Sequence, residues 1–278
     1  DVIANTIKST SIHPAGIVIS DTNINEHVPL SYPNTSTIPV SQYSKNYIES
    51  TGLIKMDLLK LRDLTFLRDI LSNIKDTNNI NLQLNEIPLD DKKTFEMFKN
   101  RETTGVPQFG TFDMKRQLSI LKCNNFNDLV ALSSLNRPGP KEYIQVYANR
   151  KDGKEKVEYP IPELEPILKN TYGIFIFQEQ LMKTATDIAG FSMGDADNLR
   201  SAISKKNIDK MNILKPKFIK GCIEKTHLTE EKSNEIFDII EKFADYGFNK
   251  SHAVAYTKLA YQIAYLKANY TLEYYAAL

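Results

Sequence analysis

Residues 53–74, with the sequence LIKMDLLKLRDLTFLRDILSNI, mark the point where the chain changes from strand to helix. Residues 53–58 are predicted to form a strand, because a period of two places Lys55 and Asp57 on one face and Ile54 and Met56 on the other. After Asp57, apolar residues recur at three- and four-residue spacing, which is typical of a helix that packs against a core. These residues are Leu64, Phe66, Leu67, Ile70, Leu71 and Ile74. The stretch therefore predicts a small strand-containing part followed by helices.

The sequence on either side extends this division. Toward the N-terminus, Ile17, Val18 and Ile19 are β-branched and predict a buried strand, and residues 28–39 contain three prolines and predict a loop. Toward the C-terminus, further helices are predicted at residues 91–100, 113–122, 126–135, 163–169, 178–190, 194–204, 208–226, 229–244 and from about 251 to the end. We therefore expect a mainly α fold with a small α/β N-terminal part.

The composition limits the classes of function. Of the 278 residues, 41% are hydrophobic and 25% charged, so the chain can bury a substantial core. The 35 basic and 34 acidic side chains nearly cancel, which argues against nucleic-acid binding by the whole surface and leaves room for a local basic patch. Cys123 and Cys222 are isolated, and the sequence contains neither a membrane-spanning apolar stretch nor a signal peptide. These features predict a cytoplasmic protein that does not enter a membrane.

The strongest local motif is YGFNKSH at residues 246–252, directly before the last predicted helix. Ser251 is a suitable N-cap, and the first-turn amides of a helix are unpaired donors with a partial positive charge. With Asn249, Lys250 and His252 around this point, the motif predicts a phosphate site. The alternative from the residues alone is an ordinary capped helix with a polar turn.

A second basic cluster, Arg200 with Lys205 and Lys206, ends the helix predicted near residues 194–204. It fits either phosphate binding or a solvated helix end, where the helix dipole favours cations. Arg137 lies in the rigid turn Arg137-Pro138-Gly139-Pro140 and could contact a phosphate or fix the loop. Gln178 lies at a predicted helix start, and its role could likewise be structural.

A possible metal ligand comes from the predicted strand at residues 53–58. Asp57 and Lys55 share a face, so the carboxylate could hold a divalent cation beside a phosphate. Most such pairs are surface ion pairs of little energetic consequence. Asp195 and Asp197 have the spacing of paired ligands on a strand, but they lie on a predicted helix, where residues two apart do not share a face. We therefore exclude them as a metal site.

Taken in order, many segments of the chain resemble the alpha subunit of bacterial DNA polymerase III, a C-family polymerase. The resemblance is collinear over nearly the whole chain. The segments are HPAGIVI at 13–19, GLIKMD at 52–57, PLDDKK at 88–93, TTGV at 103–106, RPGP at 137–140, TYGI at 171–174, QEQ at 178–180, FA at 243–244, YGFNKSH at 246–252, AYQ at 260–262 and LKA at 266–268.

The resemblance implies roles for particular residues. Asp57 matches the third of three palm aspartates that bind two Mg²⁺ ions, and Lys55 matches a basic residue near the active site. The other two aspartates lie upstream in the family, before this sequence begins. The residues that match the surface around the incoming nucleotide's triphosphate are Arg200, Lys205, Lys206, Asn249, Lys250, Ser251 and His252.

The resemblance also implies an organisation and partners. Residues 1–62 would be the C-terminal part of a palm and residues 63–278 a truncated, helical fingers domain. The chain starts at Asp1 and stops inside a helical run, so we expect a piece of a longer DNA-directed DNA polymerase that is inactive alone. Its partners would be primer-template DNA and dNTPs, with the sliding clamp and other replisome subunits bound through parts of the parent chain not present here.

Two alternatives remain open. The first is a non-catalytic nucleotide- or DNA-binding module derived from the polymerase, which is favoured by departures from the family pattern at Ser201, Ser204 and Asp245. The second is a helical interaction protein without a nucleotide site. The clustering of Asn249, Lys250 and His252 at a helix start argues against this second alternative.

Overall fold

In the computed structural model, residues 11–13, 15–34, 36–244 and 246–278 are described. The described part is mainly helical with short strands near the N-terminus, which confirms the predicted fold class. The chain divides into two compact units, one ending at Arg62 and the other running from Asp63 to Leu278.

The first unit contains two short antiparallel ladders and a single-turn helix. β1 (Gly16–Ile19) pairs with β4 (Ile54–Asp57), with Gly16 opposite Asp57 and Val18 opposite Lys55. β2 (Leu30–Ser31) pairs with β3 (Val40–Ser41), and α1 spans Lys45–Ile48. The strand predicted at residues 53–58 is thus present, although it is two residues shorter.

The core of this unit is small, and one strand prediction was wrong. Val28, Ile48 and Leu53 are buried together among the described residues, with Val18 packed beside them. Ile17 and Ile19 were predicted to lie in a buried strand, but Ile19 is 45% exposed and Ile17 is exposed as well. One face of this two-stranded ribbon packs on the small core, and the other face is exposed to solvent. β-branched residues therefore specified the strand but not its burial.

The second unit contains twelve α-helices in the described residues. They are α2 (Arg62–Asn78), α3 (Lys92–Lys99), α4 (Phe112–Leu121), α5 (Phe126–Leu135), α6 (Tyr143–Lys151), α7 (Glu165–Leu168), α8 (Gln178–Asp187), α9 (Met193–Ser204), α10 (Ile208–Thr226), α11 (Glu230–Ala244), α12 (Lys250–Asn269) and α13 (Thr271–Ala277). Each predicted helical region contains a helix.

The structure differs from the predicted helices at two places. The helix expected from about residue 251 to the end is interrupted at Tyr270, whose φ of −132° and ψ of 58° are not helical, so α12 and α13 are separate. No Gly or Pro marks that break in the sequence. Helix α6 was not predicted, although Ile144, Tyr147 and Ala148 have helical spacing and are buried.

The helical unit has two apolar cores. The first is built by α2–α6, α12 and α13 and includes Phe98 and Tyr261. The second is built by α7–α11 and includes Phe218 and Phe237. Phe243, near the end of α11, packs against both. The segments that join the two cores, before α8 and before α12, carry the candidate site. In the described part of the chain, no helix is both long and apolar enough to cross a membrane.

Candidate functional site

The turn at residues 249–252 starts helix α12, but its cap is not the predicted one. The helix begins at Lys250, and the side chain of Asn249 accepts a hydrogen bond from the His252 amide at 2.8 Å. Ser251 therefore lies inside the first turn, and its prediction as the N-cap was wrong. Both residue types cap helices well. Asn249 takes the position because the bridge between Phe248 and Phe177 holds the chain extended up to that residue.

The first turn of α12 is tied to the first turn of α8. The Phe248 amide donates to the Ile176 carbonyl at 2.9 Å, and the Gln178 amide donates to the Phe248 carbonyl at 3.0 Å. The backbone amide of Lys250 donates to both carboxylate oxygens of Glu179, each at 3.0 Å. Two first-turn amides, those of Lys250 and His252, are thus already satisfied within the chain. An anion at this turn must therefore be held largely by side chains.

The Lys250 side chain is available for such a contact. It is exposed, and its ammonium makes no ion pair or hydrogen bond with a described residue. The nitrogen lies 5.6 Å from the centre of the Phe177 ring, within the range of a cation–π contact. The ring of His252 packs between those of Phe248 and Tyr256, with centroid distances of 5.3 and 4.3 Å. The imidazole is therefore held by aromatic packing at the exposed side of the turn.

Arg137 follows α5 and contacts Phe248, the residue directly before the N-cap of α12. Its guanidinium carbon lies 3.4 Å from the centre of the Phe248 ring, and burial lowers the pKa of this guanidinium from its ordinary value. The following turn also packs on this segment, because Gly139 has a φ of 100° and an added Cβ would collide with the Tyr246 ring. No carboxylate among the described residues pairs with Arg137. The structure thus places a half-buried, positively charged planar group on the segment that leads into α12.

Arg200 lies on α9 and lines a cleft that Gly247, two residues before the turn, also lines. Its Nε donates to the Asp197 carboxylate at 2.8 Å, one helical turn earlier. The cleft is small and apolar, and Gln178 lines it as well. Three positions that are far apart in the sequence therefore meet at this cleft. Lys205 and Lys206 follow at the exposed end of α9, with Lys205 as the C-cap and Lys206 at a φ of 51°.

The predicted metal ligand, Asp57, lies on β4 in the first unit. The ammonium of Lys55 bonds directly to the carboxylate of Asp57, and Nδ1 of His13 lies 3.8 Å from the same oxygen. The hydrogen bond from Lys55 holds the pKa of Asp57 below its usual value, so this carboxylate is charged at neutral pH. Gly16 faces the pair, since an added Cβ would lie 3.0 Å from His13 and 3.1 Å from Lys55.

The surroundings of Asp57 fit one ligand of a metal site rather than a complete site. Among the described residues there is no group of three His, Cys, Asp or Glu side chains that could hold a metal ion. A pair of divalent cations requires several oxygen ligands. Asp57 can contribute one negative oxygen, and its partners in such a site must come from elsewhere.

Comparison with known proteins identifies the family. A family model described as the bacterial DNA polymerase III alpha subunit finger domain matches residues 63–226, and one described as the bacterial DNA polymerase III alpha NTPase domain matches residues 1–60. Both descriptions define a subunit of a bacterial DNA polymerase. The chain belongs to the family of bacterial DNA polymerase III alpha subunits, which confirms the resemblance read from its motifs.

Curated relatives agree over nearly the whole chain. It is 44% identical over 271 residues to DNA polymerase III subunit alpha of Halalkalibacterium halodurans, covering 98% of this chain and 24% of the relative. The same-named proteins of Aquifex aeolicus and Bacillus subtilis are 45% and 41% identical, covering 97% and 98% of this chain and 23% and 24% of the relatives. The chain thus spans about a quarter of the length of these relatives.

Sequence reasoning missed the role of Glu179 in the turn. The motif Gln178-Glu179-Gln180 was recognised as a helix start, but the partner of Glu179 lies 71 residues away. The side chain of Gln180, not that of Gln178, caps α8 by accepting from the Ile176 and Phe177 amides. Spacing along the sequence contains no signal for such a distant pair.

Proposed function

We propose that this chain is part of the catalytic subunit of a DNA-directed DNA polymerase that extends a primer on a template with dNTPs. Residues 1–62 form the end of the palm and residues 63–278 belong to the fingers. Residues 249–252 and Arg200 hold the triphosphate of the incoming nucleotide. The observation that carries the proposal is the exposed Lys250 ammonium, which has no counter-charge among the described residues. It lies 5.6 Å from the ring of Phe177, and Phe177 and Arg200 line the same small cleft.

The charges at the turn favour a polyanionic ligand. Among the described residues, Lys250 and Arg137 make no ion pair, and Arg200 pairs with one carboxylate, that of Asp197. A cation that has no carboxylate partner can bind an added anion without first breaking an ion pair. A triphosphate carries several charges and accepts charge-assisted hydrogen bonds from ammonium and guanidinium groups. Lys205 and Lys206, at the end of α9, provide further positive charge toward solvent.

The Mg²⁺ ions expected for this reaction require more than this chain. Asp57 would supply one carboxylate ligand, and the remaining ligands would come from other parts of the alpha subunit. The chemistry that such ions would supply is activation of the primer 3′-hydroxyl and stabilisation of the leaving pyrophosphate. Lys55 donates a hydrogen bond to the Asp57 carboxylate and lowers its pKa, which favours the ionised form that a metal ligand requires. His13 adds a second polar contact on the same face.

The partners follow from this reaction. The ligands of the parent protein are primer-template DNA and dNTPs. Contacts with the sliding clamp and other replisome subunits are made by parts of the alpha subunit that lie outside this chain. The parent works in the cytoplasm, where a bacterial chromosome is replicated.

Replacing Lys250 in the full-length alpha subunit tests the nucleotide site. Charge-assisted contacts to phosphate contribute about 1.5–3 kcal/mol, so Lys250→Ala should lower the efficiency of nucleotide use by roughly ten- to a hundredfold. A higher KM for dNTP indicates that Lys250 holds the ground state, and a lower kcat indicates that it neutralises charge on the leaving pyrophosphate. Steady-state primer extension measures both constants.

The matched control is Lys258→Ala, which removes an exposed lysine from the same helix two turns further on. It should leave both constants unchanged. A separate titration with primer-template DNA should show the same affinity for Lys250→Ala as for the wild type, because DNA binding depends on other basic residues. Unchanged nucleotide constants in Lys250→Ala, or a loss of DNA affinity in their place, would contradict the assignment.

A further inference from the structure

Glu179 makes a contact that crosses between two distant helix starts. It lies in the first turn of α8, and both of its carboxylate oxygens accept from the Lys250 amide at the first position of α12. The positive end of a helix favours a carboxylate at this place, and the amide donor there has no partner within its own helix. The contact therefore satisfies one of the orphan donors of α12 with a group from another helix.

The other contacts of the turn do not fix the same atoms. Asn249 caps α12 from inside the turn, so it shapes the turn without anchoring it to α8. The bridge between Phe248 and Phe177 fixes the backbone two residues before Lys250. Glu179, by contrast, binds the backbone amide of Lys250 itself. This is the residue whose side-chain ammonium lies over the Phe177 ring.

We propose that Glu179 is a positioning residue for the nucleotide-binding turn. Its carboxylate holds the Lys250 backbone against α8, and this fixes where the Lys250 ammonium meets the triphosphate. The proposal rests on the proposed function of Lys250, and it adds a residue that does not itself touch the nucleotide. Glu179 carries the same sign of charge as the triphosphate, so its role is to orient a cation rather than to bind the ligand.

Two variants of Glu179 in the full-length alpha subunit separate positioning from other roles. Glu179→Ala removes the acceptor, and the KM for dNTP should rise about three- to tenfold, the equivalent of one hydrogen bond, with kcat and primer-template affinity unchanged. Glu179→Gln keeps an oxygen that can accept from the Lys250 amide, so it should restore a KM near that of the wild type. Glu163→Ala, at an exposed position of the same unit, is the control and should have no effect.

A measurement without nucleotide tests the contact independently of activity. Hydrogen exchange of the Lys250 amide should be faster in Glu179→Ala than in the wild type and in Glu179→Gln, because its acceptor is lost. The double variant Glu179→Ala/Lys250→Ala should use dNTP no worse than Lys250→Ala, because the two residues act through one contact.

The outcomes distinguish this inference from the proposed function. If Lys250→Ala leaves nucleotide use unchanged, the nucleotide site is wrong, and with it the positioning role, even if amide exchange shows that the contact exists. If Lys250→Ala has its effect but Glu179→Ala has none, the positioning role alone is overturned. A lower KM for dNTP in Glu179→Gln would also overturn it, since that result means that the carboxylate competes with the triphosphate for the turn.

Discussion

Two lysine–aspartate pairs in this chain have the same chemistry and opposite surroundings. On β4 in the first unit, the side chains of Lys55 and Asp57 are 19% and 45% exposed. Between α5 and α6 in the helical unit, those of Lys151 and Asp128 are 7% and 1% exposed. The first pair leaves a carboxylate open to solvent and to ligands. The second is closed off from both.

Both members of the buried pair are hydrogen-bonded inside the protein, and all three N–H donors of the lysine are used. The Lys151 ammonium donates to the carbonyls of Leu121 and Lys122 and to Asp128, at 2.8, 3.0 and 2.9 Å. Asp128 also accepts from the hydroxyl of Tyr147, and burial together with this carboxylate raises the pKa of that tyrosine. A charged group whose hydrogen-bond partners are supplied by the fold is not available to bind a ligand. Exposure, rather than the residue types, separates the functional candidate from the structural one.

The largest expected effect is on the exposed pair. In the full-length alpha subunit, Asp57→Asn should reduce primer extension on the order of a hundredfold or more, because the proposed metal ligand would lose its charge. Folding and DNA binding should change little, since the side chain is half-exposed. Primer-extension rates, circular dichroism and a DNA titration measure the three properties.

Asp21→Asn is the matched control, because Asp21 is an exposed aspartate of the same unit. It should retain normal activity. If Asp57→Asn extended primers as well as Asp21→Asn did, Asp57 would be a surface acid in an ordinary ion pair. That result would favour a non-catalytic nucleotide- or DNA-binding module derived from the polymerase.

The buried pair should show the reverse pattern, with an effect on stability. Lys151→Ala leaves the Asp128 carboxylate buried without its counter-charge, which should lower the free energy of unfolding by about 3–5 kcal/mol. Urea unfolding followed by far-ultraviolet circular dichroism measures this. The comparison variant is Lys232→Ala, which breaks an exposed pair with Glu235 in α11 and should change the free energy by less than about 0.5 kcal/mol. Equal losses in the two variants would contradict the contrast between buried and exposed pairs.

These pairs also show which features the sequence could predict. Lys55 and Asp57 are two residues apart on one strand, so periodicity alone put them on the same face. Lys151 and Asp128 are 23 residues apart on different helices, and Glu179 and Lys250 are 71 apart. Such contacts depend on how the helices pack, and no local pattern encodes them.

The fold shows the same limit. Helix positions followed from apolar spacing, because a helix that packs on a core repeats its buried residues locally. The burial of β1 could not be predicted from the sequence, because burial depends on what packs over a strand and not on the strand's own residues. The N-cap of α12 was misplaced by two residues, since the choice between Asn249 and Ser251 was made by the distant bridge to Phe177.

A third aspartate, Asp91, lies between the two extremes and carries the smallest expected effect. It is the N-cap of α3, and it accepts from the amide and hydroxyl of Thr94 at 2.8 and 2.6 Å and from Asn269 at 3.2 Å. Partial burial acts to raise its pKa, but the hydrogen bonds from Thr94 and Asn269 outweigh it, so the pKa lies below the usual value of 3.8. Both the N-cap hydrogen bonds and the lowered pKa should therefore contribute to the free energy of unfolding.

Because the pKa of Asp91 is lower in the folded state than in the unfolded state, its ionised form stabilises the fold above about pH 4. That contribution is lost as the pH falls through the lowered pKa, where the carboxylate is protonated. Asp91→Ala should cost about 1 kcal/mol at pH 7, as expected for a lost N-cap. Asp91→Asn keeps a capping oxygen that cannot titrate, so the stability advantage of the wild type over Asp91→Asn should be larger at pH 7 than at pH 3. Urea unfolding at the two pH values measures that difference, and an advantage that does not change with pH would show that Asp91 acts only as a neutral cap.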